Sequence, residues 1–230
     1  MDLQELFDEH AGIALSRQRD LTELIGTHAW DFDMTAGTMT FTKGGFLGFG
    51  EERRVSAVQV LGSESEHGGT WLWAWANEAS GIPGSMLTAA ERLRALGEEH
   101  RIPELTEPQL PLDRWDGHQL CMVATGLLDT PGYYRGPYDG GAVLVLLTNE
   151  AFRTAVESPM VRYSTVLPEL LGDFEVRDQR RAARGLAAGL SLQVSGDDDL
   201  TVSGPEGNLT LEFDEHARMT SMQGKLQAPD

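Results

Sequence analysis

Cysteine is almost absent from this chain of 230 residues, which contains only Cys121. One thiol cannot form an internal disulfide, and it cannot supply the thiolate ligands of a structural zinc site. Cys121 lies in the apolar stretch LCMVATGLL, where we interpret it as a small core residue. The low cysteine content favours a reducing compartment, and we predict a cytoplasmic protein.

Basic residues are also scarce. Lysine and arginine together number 18 against 36 aspartates and glutamates, which gives a net charge of −18. A surface this negative repels phosphate backbones and anionic lipids. We therefore expect neither nucleic acid nor a membrane as partner. A basic protein partner or a second copy of the chain is compatible with this charge.

Long apolar runs and leader features are missing as well. No run approaches the roughly 20 residues that span a bilayer. The first residues, MDLQELFDEH, are acidic and amphipathic, whereas a signal peptide is first basic and then apolar. These two features predict a soluble protein.

Short motifs with a known chemistry are absent too. The sequence has no G-x-S-x-G, H-E-x-x-H, C-x-x-C or EF-hand loop. The glycine-rich stretch KGGFLGFG matches neither phosphate-binding fingerprint, and we interpret it as a flexible connector. We therefore predict no cofactor and no metal site, and we favour a protein without catalytic activity.

Helical spacing recurs along the chain. Residues 2–25 carry apolar side chains at three- and four-residue steps, which predicts an amphipathic helix that Gly26 ends. The stretch 85–100 predicts a second helix with a capping box from Thr88 to Glu91. The proline-punctuated stretch IPELTEPQLPLD predicts a loop. The apolar stretch GHQLCMVATGLL fits a helix or a buried strand, and residues 150–171 resume helical spacing.

Alternation of apolar and polar residues predicts strands in the same half of the chain. The stretch WDFDMTAGTMTF predicts a hairpin whose apolar face carries Trp30, Phe32, Met34, Met39 and Phe41. Together with VSAVQVLGSESE and TWLWAWAN it predicts a four-stranded antiparallel meander. A later hairpin, YYRGPYDGGAVLVLLT, ends in a fully buried strand. The fold class predicted is therefore α+β, an antiparallel meander packed by helices.

A change of composition near Gly172 predicts two domains. Residues 1–172 would form the main α+β domain. Residues 173–230 would form an appendage of one helix and a small four-stranded β-meander. A piece this short is marginally stable alone, so we expect it to pack on the main domain.

The stretch TWLWAWAN places three of the five tryptophans at two-residue spacing: Trp71, Trp73 and Trp75. On a strand these side chains project from one face, and smaller apolar residues occupy the other. The wall of a core explains this pattern, because both faces are apolar. The alternative is an aromatic platform on which a planar or sugar ligand stacks.

The hairpin tip GYYRGPYDGG collects hydroxyls, a guanidinium and an acid. Such a tip is able to clamp an anionic or aromatic ligand. Turn chemistry explains its glycines, proline and aspartate equally well. The candidate ligand residues of the tip are Tyr133, Tyr134, Arg135 and Tyr138.

Two other groups of charged residues are candidates for function. Asp116 and His118, close to Asp113, would form an acid–base pair, and Arg135 would hold an anion. Loop carboxylates beside a histidine are commonplace, so we name no catalytic residue. Glu64 and Glu66 share one side of a strand, and we interpret them as a solvated edge.

Arginines at helical spacing form a stripe in this otherwise acidic chain: Arg177, Arg180, Arg181 and Arg184. The stripe would dock on the acidic main body, on a second copy of the chain or on an acidic partner. The alternative is the solvated face of an amphipathic helix.

Several stretches together resemble an uncharacterised bacterial family, a domain of unknown function. They are LFDEHAGIALSRQRDL, W-D-F-D, T-M-T-F, VQVLGSES, GTWLWAWAN, ALGEEHRIPELTEPQLPL and YYRGPYDGGAVLVLL, and the W-x-W-A-W-A-N signature is the specific part. The resemblance covers about residues 3–150 and implies no activity or site. The tail from about residue 173 lies outside it.

These observations together predict a non-enzymatic bacterial protein that serves as a protein-interaction or binding module. A small-ligand binder that uses the tryptophan face and the YYRGPY tip is the alternative. An enzyme built on Asp116 and His118 is the least favoured hypothesis.

Overall fold

A computed structural model describes residues 1–44, 52–56 and 58–227. This part of the chain forms six α-helices and three antiparallel sheets, which confirms the predicted α+β class. None of the helices described is long and apolar enough to cross a membrane. The chain divides into two compact units: Met1–Ser16 with Ala155–Asp230, and Arg17–Thr154.

The unit Arg17–Thr154 contains two sheets and several helices. Its helices are the second part of α1 (Leu3–Ile25), α2 (Thr88–His100), α3 (Pro103–Thr106) and α4 (Gly117–Leu127). The first sheet has the order β1-β2-β3, made of β1 (His28–Asp33), β2 (Thr38–Lys43) and β3 (Glu52–Ser56). The second sheet has the order β6-β5-β4-β8-β7, made of β4 (Gln59–Ser65), β5 (Thr70–Trp73), β6 (Gln109–Pro111), β7 (Gly132–Tyr138) and β8 (Gly141–Leu147).

The first predicted hairpin forms, and its apolar face is confirmed. Trp30 pairs with Phe41 across β1 and β2, and Phe32 pairs with Met39. Burial alternates along β1, with each aromatic residue more buried than the aspartate that follows it. Period-two alternation therefore placed the inner face correctly. Beyond Gly44, the predicted connector KGGFLGFG lies outside the described residues.

The predicted four-stranded meander is wrong, because the chain changes sheets after Ser56. The strand β4 begins at Gln59 and pairs with β5 on one side and β8 on the other. Val60 and Leu61 are both buried, and Leu61 lies at the register shift between Val60 and Gly62. A strand that is apolar on both faces is stable in the middle of a covered sheet, which the end of the first sheet does not offer.

The helices α1, α2 and α4 are confirmed, and α4 decides between the two alternatives for residues 117–128. The capping box predicted at Thr88 does not form, because Thr88 is the first residue of α2 and Leu87 is the N-cap. Instead the side-chain oxygen of Gln59 accepts the N–H of Ala89 at 3.1 Å. The predicted loop 102–113 holds α3 and β6. These long-range partners are invisible to local sequence patterns.

The unit Met1–Ser16 with Ala155–Asp230 combines helices with a small sheet. Its elements are the first part of α1, α5 (Pro159–Asp173), α6 (Gln179–Gly189), β9 (Gln193–Ser195), β10 (Leu200–Gly204), β11 (Gly207–Phe213) and β12 (Met219–Leu226). The sheet order β12-β11-β10-β9 confirms the predicted terminal meander, and α6 confirms the predicted helix before it.

One hydrophobic core joins the elements of this unit. It includes Ile13 of α1, Tyr163 and Leu167 of α5, Leu186 of α6 and Val202 of β10. The residues after Gly172 therefore share their core with α5 and with the first part of α1. The compact unit begins at Ala155, earlier than the composition change near Gly172. The division into folding domains 1–172 and 173–230 stays a prediction.

Candidate functional site

Two of the three tryptophans in TWLWAWAN lie in the core. Trp71 and Trp73 of β5 are both 0% exposed, and their rings meet edge to face with centroids 5.3 Å apart. The indole N–H of Trp73 donates to the carbonyl oxygen of Glu104 at 3.0 Å. These two side chains form a wall of the core rather than an open floor.

The third tryptophan leaves the strand. β5 ends at Trp73, and Ala74–Ala76 form a 3₁₀ turn, so Trp75 does not share a strand face with the other two. Trp75 is half-buried, and the guanidinium carbon of Arg94 lies 4.5 Å from the centroid of its ring. This cation–π contact secures α2 against the turn. The predicted platform of three aligned tryptophans therefore does not form.

The predicted hairpin tip is a regular strand, and its side chains point to opposite faces of the second sheet. The hydroxyl of Tyr133 lies 3.1 Å from Nδ1 of His118, which stands on α4. The hydroxyl of Tyr134, the next residue, lies 3.0 Å from Nε2 of His28, which stands on β1. Because strand residues alternate, Arg135 shares the face of Tyr133 and Tyr138 shares that of Tyr134. The four side chains do not converge on one ligand.

Tyr134 belongs to an aromatic cluster that joins the two sheets of this unit. Its ring centroid lies 4.8 Å from that of Phe41 and 5.9 Å from that of Trp30. A Cβ atom at Gly136 would lie 3.0 Å from the Trp30 ring, so glycine allows this close approach. Burial raises the pKa of Tyr134 above its ordinary value. Tyr134 therefore serves as a packing residue between the two sheets.

Glu64 is buried, so the interpretation of Glu64 and Glu66 as a solvated edge is wrong for Glu64. Its side chain is 9% exposed, and Oε2 accepts from Nε of Arg135 at 2.8 Å. The other oxygen accepts the N–H of Gly117, the first residue of α4, at 2.9 Å. Glu66 is 60% exposed and 3.9 Å from Arg135. Arg135 is thus bound to an internal carboxylate.

The candidate acid–base pair is occupied by structural contacts. Oδ1 of Asp116 accepts the N–H of Gln119 at 2.8 Å, and the side chain of Gln119 accepts the N–H of Asp116 at 3.0 Å. This capping box begins α4. Cys121 in the same helix is fully buried, and burial raises the pKa of its thiol well above the ordinary value. Residues 1–44, 52–56 and 58–227 contain no cluster of three metal-ligating side chains.

The arginine stripe contacts acidic residues in and just before α1, within its own compact unit. Arg177, which precedes α6, donates to both carboxylate oxygens of Asp2 at 3.0 Å. Arg181 lies 3.2 Å from Glu9. The other two arginines make different contacts: Arg184 donates to the carbonyl oxygen of Gly196 at 2.7 Å, and the guanidinium of Arg180 lies 5.2 Å from the Phe213 ring centroid. Internal docking is one of the three alternatives that the sequence suggested.

An open pocket of about 340 Å³ lies in the unit Arg17–Thr154, and no sequence motif predicts it. Residues of β4 and β8 form its floor, and the hairpin of β1 and β2 forms one wall. The segment that follows the end of β5 at Trp73 forms the other wall. Tyr138, 52% exposed, stands at the rim. The lining residues are Phe32, Met34, Val60, Gly62, Ser63, Ala74, Asn77, Ser80, Ile82, Tyr138 and Val143. We call this the apolar pocket.

The chemistry of the apolar pocket is uniform. Most of the described lining is aliphatic or aromatic, and none of the described lining side chains is charged. The hydroxyls of Ser63, Ser80 and Tyr138 have no hydrogen-bond partner within the described part of the chain, while Oδ1 of Asn77 accepts the N–H of Ser80 at 3.3 Å. The volume falls at the lower end of the range of small-molecule sites. Of the ligand residues predicted from sequence, Tyr138 reaches this pocket.

Comparison with known proteins identifies a family without an assigned activity. No curated protein and no solved structure matches the chain. A model of the family of unknown function DUF6882 matches residues 4–150, which is more than half of the chain. This match confirms the resemblance predicted from the quoted stretches over about residues 3–150. The chain therefore belongs to the family of unknown function DUF6882.

Proposed function

We propose that the chain is a non-enzymatic binding module whose ligand is a small, mostly apolar molecule. The observation that carries this proposal is the apolar pocket of about 340 Å³. When a ligand covers an uncharged concave surface, the removal of apolar area from water favours binding by about 25 cal/mol per Å². A net charge of −18 disfavours an anionic ligand.

The pocket also favours a particular ligand shape. Phe32 and Tyr138 offer aromatic surface, so a planar or branched hydrocarbon body fits the lining. Ser63 on the floor and Ser80 on a wall offer hydroxyls that have no partner among the described residues. A ligand with one or two hydrogen-bonding groups on an apolar body matches these positions.

The charged residues that were candidates for other functions are already engaged in contacts within the chain, which favours binding in the apolar pocket. Arg135 is held by Glu64 at 2.8 Å, and Asp116 caps α4. An anion clamp or an acid–base pair would need these groups to leave their present partners. Binding in the apolar pocket requires no such rearrangement.

A fluorescence titration tests the proposal. N-phenyl-1-naphthylamine is neutral and brightens when it enters an apolar site, so we expect saturable binding to the wild-type chain. Val143→Trp fills the pocket from its floor and should weaken this binding at least tenfold. The matched control Val161→Trp makes the same change at a residue of α5 that is 42% exposed, and it should bind the probe as the wild type does.

Circular dichroism first establishes that both variants fold. Equal binding by Val143→Trp and the wild type would contradict the assignment of the pocket. Equal loss in both variants would contradict it too, because the probe would then report general hydrophobic surface.

A further inference from the structure

A second site is indicated by the buried carboxylate of Glu206. Glu206 lies in the turn between β10 and β11, and it is 6% exposed. Among the residues that the structure describes, neither oxygen of its carboxylate has a hydrogen-bond partner. Removing an ionised carboxylate from water without a compensating partner is costly. The free energy of this arrangement therefore falls when a cation reaches Glu206.

Glu206 lines an open cavity of about 450 Å³ at one end of the terminal meander. Asn208, Gly224 and Gln227 line the same cavity. The N–H of Gln227 donates to the carbonyl oxygen of Glu206 at 2.8 Å, which fixes the turn against the end of β12. The cavity and the carboxylate belong to the compact unit Met1–Ser16 with Ala155–Asp230.

The lining of this cavity is rich in hydrogen-bond acceptors. The side-chain amides of Asn208 and Gln227 each carry a carbonyl oxygen. Gly207 and Gly224 leave backbone uncovered, and a Cβ atom at these positions would lie 2.3 Å and 2.2 Å from backbone oxygens of the neighbouring strand. Close strand pairing thus requires glycine here, and the same glycines keep the cavity open.

Among the described residues that line the cavity, Lys225 is the one with a basic side chain. It is exposed, and within residues 1–44, 52–56 and 58–227 no ion pair joins it to Glu206. The carboxylate is therefore not neutralised from within this part of the chain. A single carboxylate also falls short of the several oxygen ligands that calcium or magnesium takes from a protein site.

We propose that this cavity binds an organic cation, an alkylammonium or guanidinium group, through the carboxylate of Glu206. An ammonium offers three donors and a guanidinium five, which suits a cavity lined by acceptors. A charge-assisted hydrogen bond to a carboxylate is about twice as strong as a neutral one. This site shares no residue with the apolar pocket, so it does not depend on the function proposed above.

Two-dimensional ¹H–¹⁵N NMR of the full chain tests the site with two probes. The first is n-butylammonium, and the second is the blocked tripeptide acetyl-Gly-Lys-Gly-amide. We expect saturable shifts of the backbone amides of Gly207, Asn208 and Gln227 at moderate ionic strength. Tighter binding of the peptide would assign the cation to a protein side chain, and tighter binding of butylammonium to a free amine.

Glu206→Gln keeps the shape of the side chain and removes its charge, so we expect at least tenfold weaker binding. The matched control is Glu212→Gln, which makes the same change at an exposed residue of β11 and should bind as the wild type does. Lys225→Met removes the competing ammonium and should bind at least as tightly as the wild type.

The proposal is overturned if the wild-type chain shows no saturable shifts, or if the variants at residues 206 and 212 lose binding equally. Equal loss would mean that the amines respond to general negative charge. Spectral dispersion verifies the fold of each variant. If Glu206→Gln does not fold, Glu206→Asp retracts the carboxylate by one methylene group and should show the same loss.

Discussion

At the scale of single residues, a missing side chain decides how the tryptophan wall packs. A Cβ atom at Gly62 would lie 2.4 Å from Cζ2 of Trp71 and 2.5 Å from the carbonyl oxygen of Leu72. Trp71 is fully buried and cannot move aside. The indole therefore packs directly on the backbone of β4, and glycine at position 62 is what permits this contact.

Gly62→Ala should lower the free energy of unfolding by about 1–3 kcal/mol, because it overpacks the core. Gly84→Ala is the matched control, since a Cβ atom there has no atom of the described residues within 4 Å. Urea unfolding followed by tryptophan fluorescence measures both. Similar midpoints for the two variants would contradict the packing described for Trp71.

Glu64→Gln should destabilise the chain by about 2–4 kcal/mol, because it leaves the partly buried Arg135 without its charged partner. Glu66→Gln makes the same change on a side chain that is 60% exposed, and it should cost less than about 0.5 kcal/mol. Chemical unfolding at neutral pH compares the two. Equal losses would show that Glu64 does not contribute through the buried pair.

The different burial of these two glutamates could not be predicted from the sequence. Both alternate correctly with the serines of SESEH, and the strand itself was predicted. What separates them is the N-terminus of α4 and the guanidinium of Arg135, which lies 71 positions along the chain from Glu64. No local pattern encodes a partner at that distance.

At the scale of elements, the residue proposed for acid–base chemistry explains where a helix starts. Asp116 and Gln119 form a reciprocal capping box at the beginning of α4. At the same helix N-terminus, where the helix dipole favours negative charge, the N–H of Gly117 donates to the carboxylate of Glu64. Two acidic side chains thus satisfy backbone donors of one helix terminus.

Asp116→Ala should cost about 0.5–2 kcal/mol of stability, the usual loss for an N-cap. Asp113→Ala, an exposed residue outside the helix, is the control and should change stability little. Thermal unfolding by circular dichroism measures the difference. An unchanged midpoint for Asp116→Ala would contradict the capping role.

The elements that sequence predicted well are those whose signal is local. The helix α1 and the hairpin β1-β2 follow from periodicity and turn residues. The errors concern pairing and termination: β4 selects β8 as a neighbour, and β5 stops at Trp73 although alternation continues to Trp75. Strand partners depend on which faces other elements cover, so a single stretch does not determine them.

At the scale of the whole molecule, two arginines make stability depend on pH. Asp129 lies between α4 and β7 with a left-handed φ of 53°. Its carboxylate pairs with Arg17 and lies 3.4 Å from Arg153. Desolvation alone would raise the pKa of Asp129, but the hydrogen bond and charge of Arg17, with those of Arg153, hold it below its ordinary value of 3.8. The ion pairs therefore stabilise the folded chain when this carboxylate is charged.

Asp129→Asn should lower the thermal midpoint at neutral pH, and the difference from wild type should narrow as pH falls below 3.8 toward the folded pKa. The folded pKa lies below the unfolded one, so the contribution is complete above the unfolded pKa and is lost on acidification. Asparagine tolerates a positive φ as aspartate does, so the variant isolates charge. The exposed Asp31→Asn serves as control. A difference that does not vary with pH would contradict this account.

The candidate site as a whole was beyond reach of the sequence. The apolar pocket is assembled from four separated stretches of chain, near residues 32–34, 60–63, 74–82 and 138–143. Each stretch reads as ordinary strand or turn. The residues of the tryptophan run and of the YYRGPY tip mostly serve packing, because large aromatic side chains contribute most to burial.

The division of α1 between the two compact units has a consequence for how the chain can be rearranged in evolution. The family match ends at residue 150, whereas the first part of α1 packs with elements after residue 155. Phe7 is fully buried, with its ring centroid 5.7 Å from that of Phe174, and a Cβ atom at Gly12 would meet Leu186 at 3.0 Å. A gene rearrangement that detached the tail would expose this apolar helix face to water. In this chain, the first helix and the tail are therefore expected to be gained, lost and exchanged together.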